Sequence, residues 1–96
     1  MDQAQTTRLT ELLNETQRAH GTYEATELNG VFDEAWPQWY AEYMVDHGLA
    51  DILGRDVTAE PAAAHLASAY AEYDRNDPKP DPTWAEYLAR VWPDGP

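Results

Sequence analysis

Leu9, Leu12, Leu13, Thr16, Ala19, His20 and Tyr23 recur at spacings of three and four along the first quarter of the chain. At about 100° per residue they form one stripe, which predicts a helix over about 7–24. Gly21 lies inside that stripe. It either ends the helix as a C-cap or is carried through at a cost of about 1 kcal/mol. The segment "ELNGVFDE" that follows reads as a turn, with Asn29-Gly30 as the breaker.

A second helix is predicted over about 33–47. Asp33 is its expected N-cap, and Pro37 then falls at the fourth helical position, where a missing N–H costs little. Gly48 supplies a left-handed C′ residue, and Met44 and Leu49 form the hydrophobic pair of a Schellman ending. Trp36, Trp39, Tyr40, Tyr43, Met44 and His47 crowd one side of this helix, while Gln38, Glu42 and Val45 take the other. "LADIL" is a short turn or single helical coil closed by Gly54.

The third helix, about 58–75, starts at Thr58 as N-cap with Glu60 and Pro61 in its first turn. Its inner face carries Ala59, Ala62, Ala63, Leu66, Ala69, Tyr70 and Tyr73. The small first half of that face is expected to receive Trp and Tyr side chains from the second helix. "NDPKPDP" cannot continue a helix and reads as a stiff connector. Asp81 is then the expected cap and Pro82 the first residue of a last helix, about 82–91, with Trp84, Tyr87, Leu88 and Val91 inward. The tail "WPDGP" is expected to be irregular. No segment alternates with the period of a strand. The predicted fold is all-α, one domain over 1–96, built as a compact four-helix bundle or orthogonal helical array with short loops.

A tetrapeptide recurs within this pattern: "YAEY" at Tyr40 to Tyr43 and at Tyr70 to Tyr73, and "WAEY" at Trp84 to Tyr87. On a helix its first and fourth residues share a face, with Ala and Glu to either side. The copies lie at offsets of 30 and 14 residues, so no constant period marks a solenoid. The unit reads as a packing solution, which sets Tyr70, Tyr73 and Tyr87 aside as functional candidates. The first copy differs, because two tryptophans join its tyrosines.

Composition sharpens this. The chain has 96 residues with four Trp, six Tyr and one Phe, so an aromatic and alanine-rich core is expected. Full burial of one large aromatic removes about 150–250 Å² from water, an upper-bound gain of about 4–6 kcal/mol. The absence of cysteine excludes disulfides, thiolate zinc sites and a cysteine nucleophile. No signal peptide or apolar membrane-spanning run is read, so an intracellular, cytoplasmic protein is expected. Eighteen acidic residues against five arginines and Lys79 give a formal net charge of −12. Such a surface repels nucleic acid and anionic membranes, attracts basic partners and keeps the chain in solution. A salt-rich or high-GC source would leave the same imprint.

His20, Tyr23 and Glu24 form the segment most like a site. His20 and Glu24 are four residues apart and can meet on a helix surface, as a general base or a ligand pair. The competing reading is a half-buried histidine bonded to a neighbouring Asp, Glu or Tyr, or one near a helix C-terminus, as the two "HG" dipeptides at His20-Gly21 and His47-Gly48 suggest. A metal set of His20, Glu24, Asp46 and His47 is conceivable between the first two helices, but no metal motif is present and no metal or cofactor is assigned. Ser68 is the one serine and lacks the setting of a nucleophile. Glycine loops for phosphate and basic patches for nucleic acid are absent. The candidate ligand-binding residues are therefore His20, Tyr23, Glu24, Asp33, Trp36, Trp39 and Tyr40, with no catalytic residue assigned. Trp39, at the edge of the stripe, is the residue expected to reach a surface or a ligand.

The stretch "HGTYEATELNGVFDEAWPQWYAEYMVDHGL", residues 20–49, resembles a group of small bacterial, actinobacterial-like helical proteins with no assigned activity. The resemblance implies a stand-alone cytoplasmic protein and carries no catalytic residue across. The leading functional expectation is a non-enzymatic, acidic interaction or regulatory module with a protein partner or a second copy of itself. The alternative is a small-molecule or metal-binding protein, with or without enzymatic activity, with a cavity bearing His20 and Glu24 between the first two helices. A third is an acidic nucleic-acid mimic, which needs carboxylates in rows on one face.

Overall fold

A computed structural model describes residues 2–92, and among them there are five helices and no strand. They are α1 (Gln3–Glu27), α2 (Trp36–Asp46), α3 (Leu49–Leu53), α4 (Ala59–Arg75) and α5 (Trp84–Val91). The all-α array predicted from the sequence is observed. α2 lies against α4, α1 against α5 and α2, α4 against α5, and the short α3 closes the end of α1 and α2.

α1 begins at Gln3, six residues before the first residue of its apolar stripe, Leu9. Asp2 accepts from the Gln5 amide at 2.8 Å, and the Gln5 side chain accepts from the Asp2 amide at 3.0 Å. That reciprocal capping box satisfies two amides left open by helix geometry. The Gln5 side chain also donates to the Ile52 carbonyl at 3.0 Å, tying α1 to α3. The helix runs through Gly21 and ends only where Asn29 and Gly30 take left-handed φ angles of 53° and 80°. His20 is therefore not at a helix terminus. His47 is, as the C-cap of α2, where its Nδ1–H donates to the Tyr43 carbonyl at 2.7 Å.

Two expected caps are corrected. Ala35, not Asp33, is the N-cap of α2, and Pro37 is its second residue. One Asp33 oxygen accepts from the Ala35 amide at 3.0 Å while the other is held by His20, so the carboxylate cannot turn to the helix. At α5 the Thr83 hydroxyl accepts from the Glu86 amide at 3.1 Å, and Asp81 instead receives Nε and Nη2 of Arg90 at 3.0 and 2.8 Å. Gly48, at φ 105°, ends α2 in the expected left-handed conformation, and Met44 and Leu49 on either side are both fully buried.

The core is alanine-rich as composition suggests, but its bulk is leucine more than aromatic. It is built from leucine and alanine (Leu9, Leu13, Ala41, Leu49, Ala62, Leu66, Leu88) around Met44. Of the aromatic residues only Tyr40, Tyr87 and Trp92 belong to it. Trp92, expected in an irregular tail, keeps helical φ and ψ of −60° and −32° and is wholly buried. The rest of that tail, Pro93–Pro96, lies outside the described residues. Thr16 is buried too, with its hydroxyl satisfied by donating to the Leu12 carbonyl at 2.7 Å. Tyr70, placed inward by its spacing, is 40% exposed. Trp36 meets it there, in the bulky half of α4 rather than the alanine half.

Candidate functional site

Three of the unburied aromatics meet where α2, α4 and α5 converge. Tyr70 of α4 and Trp84 of α5 touch with ring centroids 5.2 Å apart and planes at 88°. Trp36 of α2 completes the group, 5.3 Å from Tyr70 at 74° and 6.2 Å from Trp84 at 89°. The three rings thus stand nearly mutually perpendicular, like the walls meeting at the corner of a box. They line a pocket of about 190 Å³ together with Tyr40, His20, Glu24 and Phe32. Phe32, from the α1–α2 turn, is 70% exposed and forms the lip, with Val31 beside it at 65%.

The polar floor comes from the end of α1. The His20 Nε2 lies 2.8 Å from Asp33 Oδ2, and His20 Nδ1 lies 3.9 Å from Glu24 Oε1, too far for a hydrogen bond. Glu24 Oε2 accepts from the Asp33 amide at 3.0 Å, which fixes the α1–α2 turn beneath the pocket. Because α1 passes through Gly21, Glu24 stays one turn beyond His20 on the same face. Had the helix ended there, the carboxylate would not reach the cavity. The His20 ring also packs on Trp39 at 4.9 Å and on Tyr40 at 5.2 Å. Burial, with the Glu24 carboxylate and then Tyr70 adding to it, raises Tyr40 from its ordinary 10.0 to about 12. Its phenol is neutral at any physiological pH.

The residues nominated from the sequence divide across the His20 ring. His20, Glu24, Trp36 and Tyr40 line the pocket. Tyr23, Asp33 and Trp39 line a shallower hollow of about 170 Å³ with Gln38 and Glu42. Trp39 stacks on Tyr43 at 5.4 Å and 12°, and Trp36 rather than Trp39 lines the aromatic pocket. Sequence reasoning omitted Phe32, Tyr70 and Trp84. The adjacent apolar pair Val31-Phe32 in an otherwise polar turn was the available signal for the first. Tyr70 and Trp84 were hidden by their membership of the repeated tetrapeptide, whose glutamates Glu42, Glu72 and Glu86 are all exposed as its geometry requires.

Among the described residues no group of three or more His, Asp or Glu side chains is placed to hold a metal ion. The conceivable set with Asp46 and His47 does not assemble, because His47 lines a separate hollow with Arg8, Glu11 and Arg18. Ser68 lies on another surface, beside Glu72 and Arg75. Among the described residues no helix is long and apolar enough to cross a membrane. Compared with known proteins, the chain matches no family model, no curated protein and no solved structure.

Proposed function

We propose that this chain is a small, acidic, non-enzymatic binding module whose recognition site is the aromatic pocket between α1, α2, α4 and α5. The observation that carries this reading is the placement of Trp36, Tyr70 and Trp84. A chain of this size has few large apolar side chains to spare from its interior. Here Phe32, Trp36, Tyr70 and Trp84 are left partly or largely exposed around a cavity while leucine and alanine fill most of the core. Pockets for small ligands combine such apolar walls with a few convergent polar groups, here His20 and Glu24. Binding rather than catalysis is favoured because no serine, threonine, cysteine or lysine lines the cavity to act as a nucleophile.

Saturation-transfer NMR with a library of small fragments tests the reading. Fragments are expected to bind the wild-type chain and to be lost from Tyr70→Ala, a variant that removes a partly exposed wall and leaves the buried core intact. A library without binders, or binders indifferent to Tyr70→Ala, contradicts it. A protein partner or a second copy is the second reading, favoured by Val31 and Phe32, which stand 65% and 70% exposed at the lip. In that case the pocket receives a side chain rather than a free molecule, and Phe32→Ser abolishes association.

A further inference from the structure

We infer that the group this pocket takes is an organic ammonium, a methylated or otherwise alkylated cationic nitrogen. The inference rests on the pocket being a binding site and goes on to its occupant. Trp36, Tyr70 and Trp84 meet at 74°, 89° and 88° with centroids 5.2–6.2 Å apart. A point in that corner lies within about 6 Å of all three rings, the range over which a ring face attracts a cation. Two of the three are tryptophans, whose faces attract cations most strongly.

Charge points the same way. No lysine or arginine lines the pocket, and Glu24 presents a carboxylate that is 27% exposed. His20 does not cancel it. Even when protonated, its single charge is flanked by Asp33 and Glu24, so the trio stays net negative. Tyr40 adds no positive charge, and the chain as a whole carries −12, which draws cations toward it. An anion would be repelled by that carboxylate, and a neutral molecule would gain no charge attraction from it. An alkylammonium satisfies both features at once: its charge faces Glu24 and its methyl or methylene groups face the rings. A cavity of about 190 Å³ has room for a trimethylammonium head, and a longer ligand emerges past Phe32.

The head group has two sources, a free small molecule or a methylated lysine side chain of a peptide, and they share the chemistry argued here. The test is calorimetric titration with choline, with its uncharged carbon isostere 3,3-dimethylbutan-1-ol, and with a short peptide carrying trimethyllysine. Choline or the peptide is expected to bind at least tenfold more tightly than the isostere. Preference for choline identifies a free ligand and preference for the peptide identifies a protein. Glu24→Gln, which keeps an acceptor for the Asp33 amide, is expected to weaken the cation at least fivefold without affecting the isostere. Tyr70→Leu, which keeps an apolar wall without a π face, is expected to do the same. Equal affinity for choline and its isostere, or a Glu24→Gln chain that binds choline unchanged, overturns the inference. Uncharged fragments that bind where every ammonium fails overturn it while leaving the pocket as a site. If no fragment of any charge binds, both readings fall together.

Discussion

The Nε2 of His20 and the Oδ2 of Asp33, thirteen positions apart in the sequence, stand 2.8 Å apart, and both side chains are nearly withdrawn from water, at 7% and 12% exposure. This pair joins the last third of α1 to the entrance of α2, and the pocket floor depends on it. Hydrogen bonds to charged groups contribute about 1.5–3 kcal/mol. Asp33→Ala is therefore expected to lower unfolding free energy by an amount in that range in urea denaturation. A double-mutant cycle with His20→Ala should give a coupling above about 1 kcal/mol. Additive losses would mean that the contact contributes nothing of its own.

Gly21 is helical and exposed, and a Cβ placed there meets nothing within 4 Å. Gly21→Ala is expected to stabilise the chain by about 0.5–1 kcal/mol. That corresponds to a rise of several degrees in Tm for a domain of this size. Gly48→Ala should do the reverse, because its φ of 105° strains any residue with a Cβ. Thermal denaturation of the two variants side by side checks both signs.

Tyr40 makes stability depend on alkaline pH. Below about pH 10 the phenol is neutral in folded and unfolded chains alike, and its burial contributes in full. Above that value the unfolded chain ionises first, so stability falls as pH rises toward the folded value of about 12. Urea midpoints followed from about pH 9 upward should decline more steeply for wild type than for Tyr40→Phe. Parallel curves would show that Tyr40 titrates as it does in the unfolded chain.

Trp92 is the largest side chain with no exposure, and its ring meets His65 edge-on at 4.8 Å. Trp92→Ala is expected to cost about 3–5 kcal/mol, a large part of the stability of a small domain. Circular dichroism at rising temperature should show a chain folded only well below the wild-type Tm. A near-normal Tm would place Trp92 outside the core.

These residues show where the sequence was legible. The 3.6-residue stripes of Leu9 to Tyr23 and Trp36 to His47, and the stops at Asn29-Gly30, Gly48 and Gly54, are local properties, and the helices follow them. Asp2-x-x-Gln5 and Thr83-x-x-Glu86 carried cap signals that an apolar stripe overlooks, so both helix starts were misplaced. Trp92 precedes a proline, which biases a residue away from the helical region, and tertiary burial overrode that bias. The approach of His20 to Asp33 and of Glu24 to the cavity was within reach because helical spacing and a short turn bring them together. The corner formed by Trp36, Tyr70 and Trp84 was not, since it joins three helices whose mutual angles no local pattern encodes.

The claim that this corner is a recognition site is tested most directly by the indole N–H signals in a proton–nitrogen correlation spectrum, recorded while the tightest-binding fragment is added to saturation. The account predicts that the Trp36 and Trp84 signals move in step with occupancy while the Trp92 signal, sealed in the core, stays fixed. Signals of Trp36 and Trp84 that remain in place when the fragment is bound, or a Trp92 signal that moves as far as theirs, would contradict it.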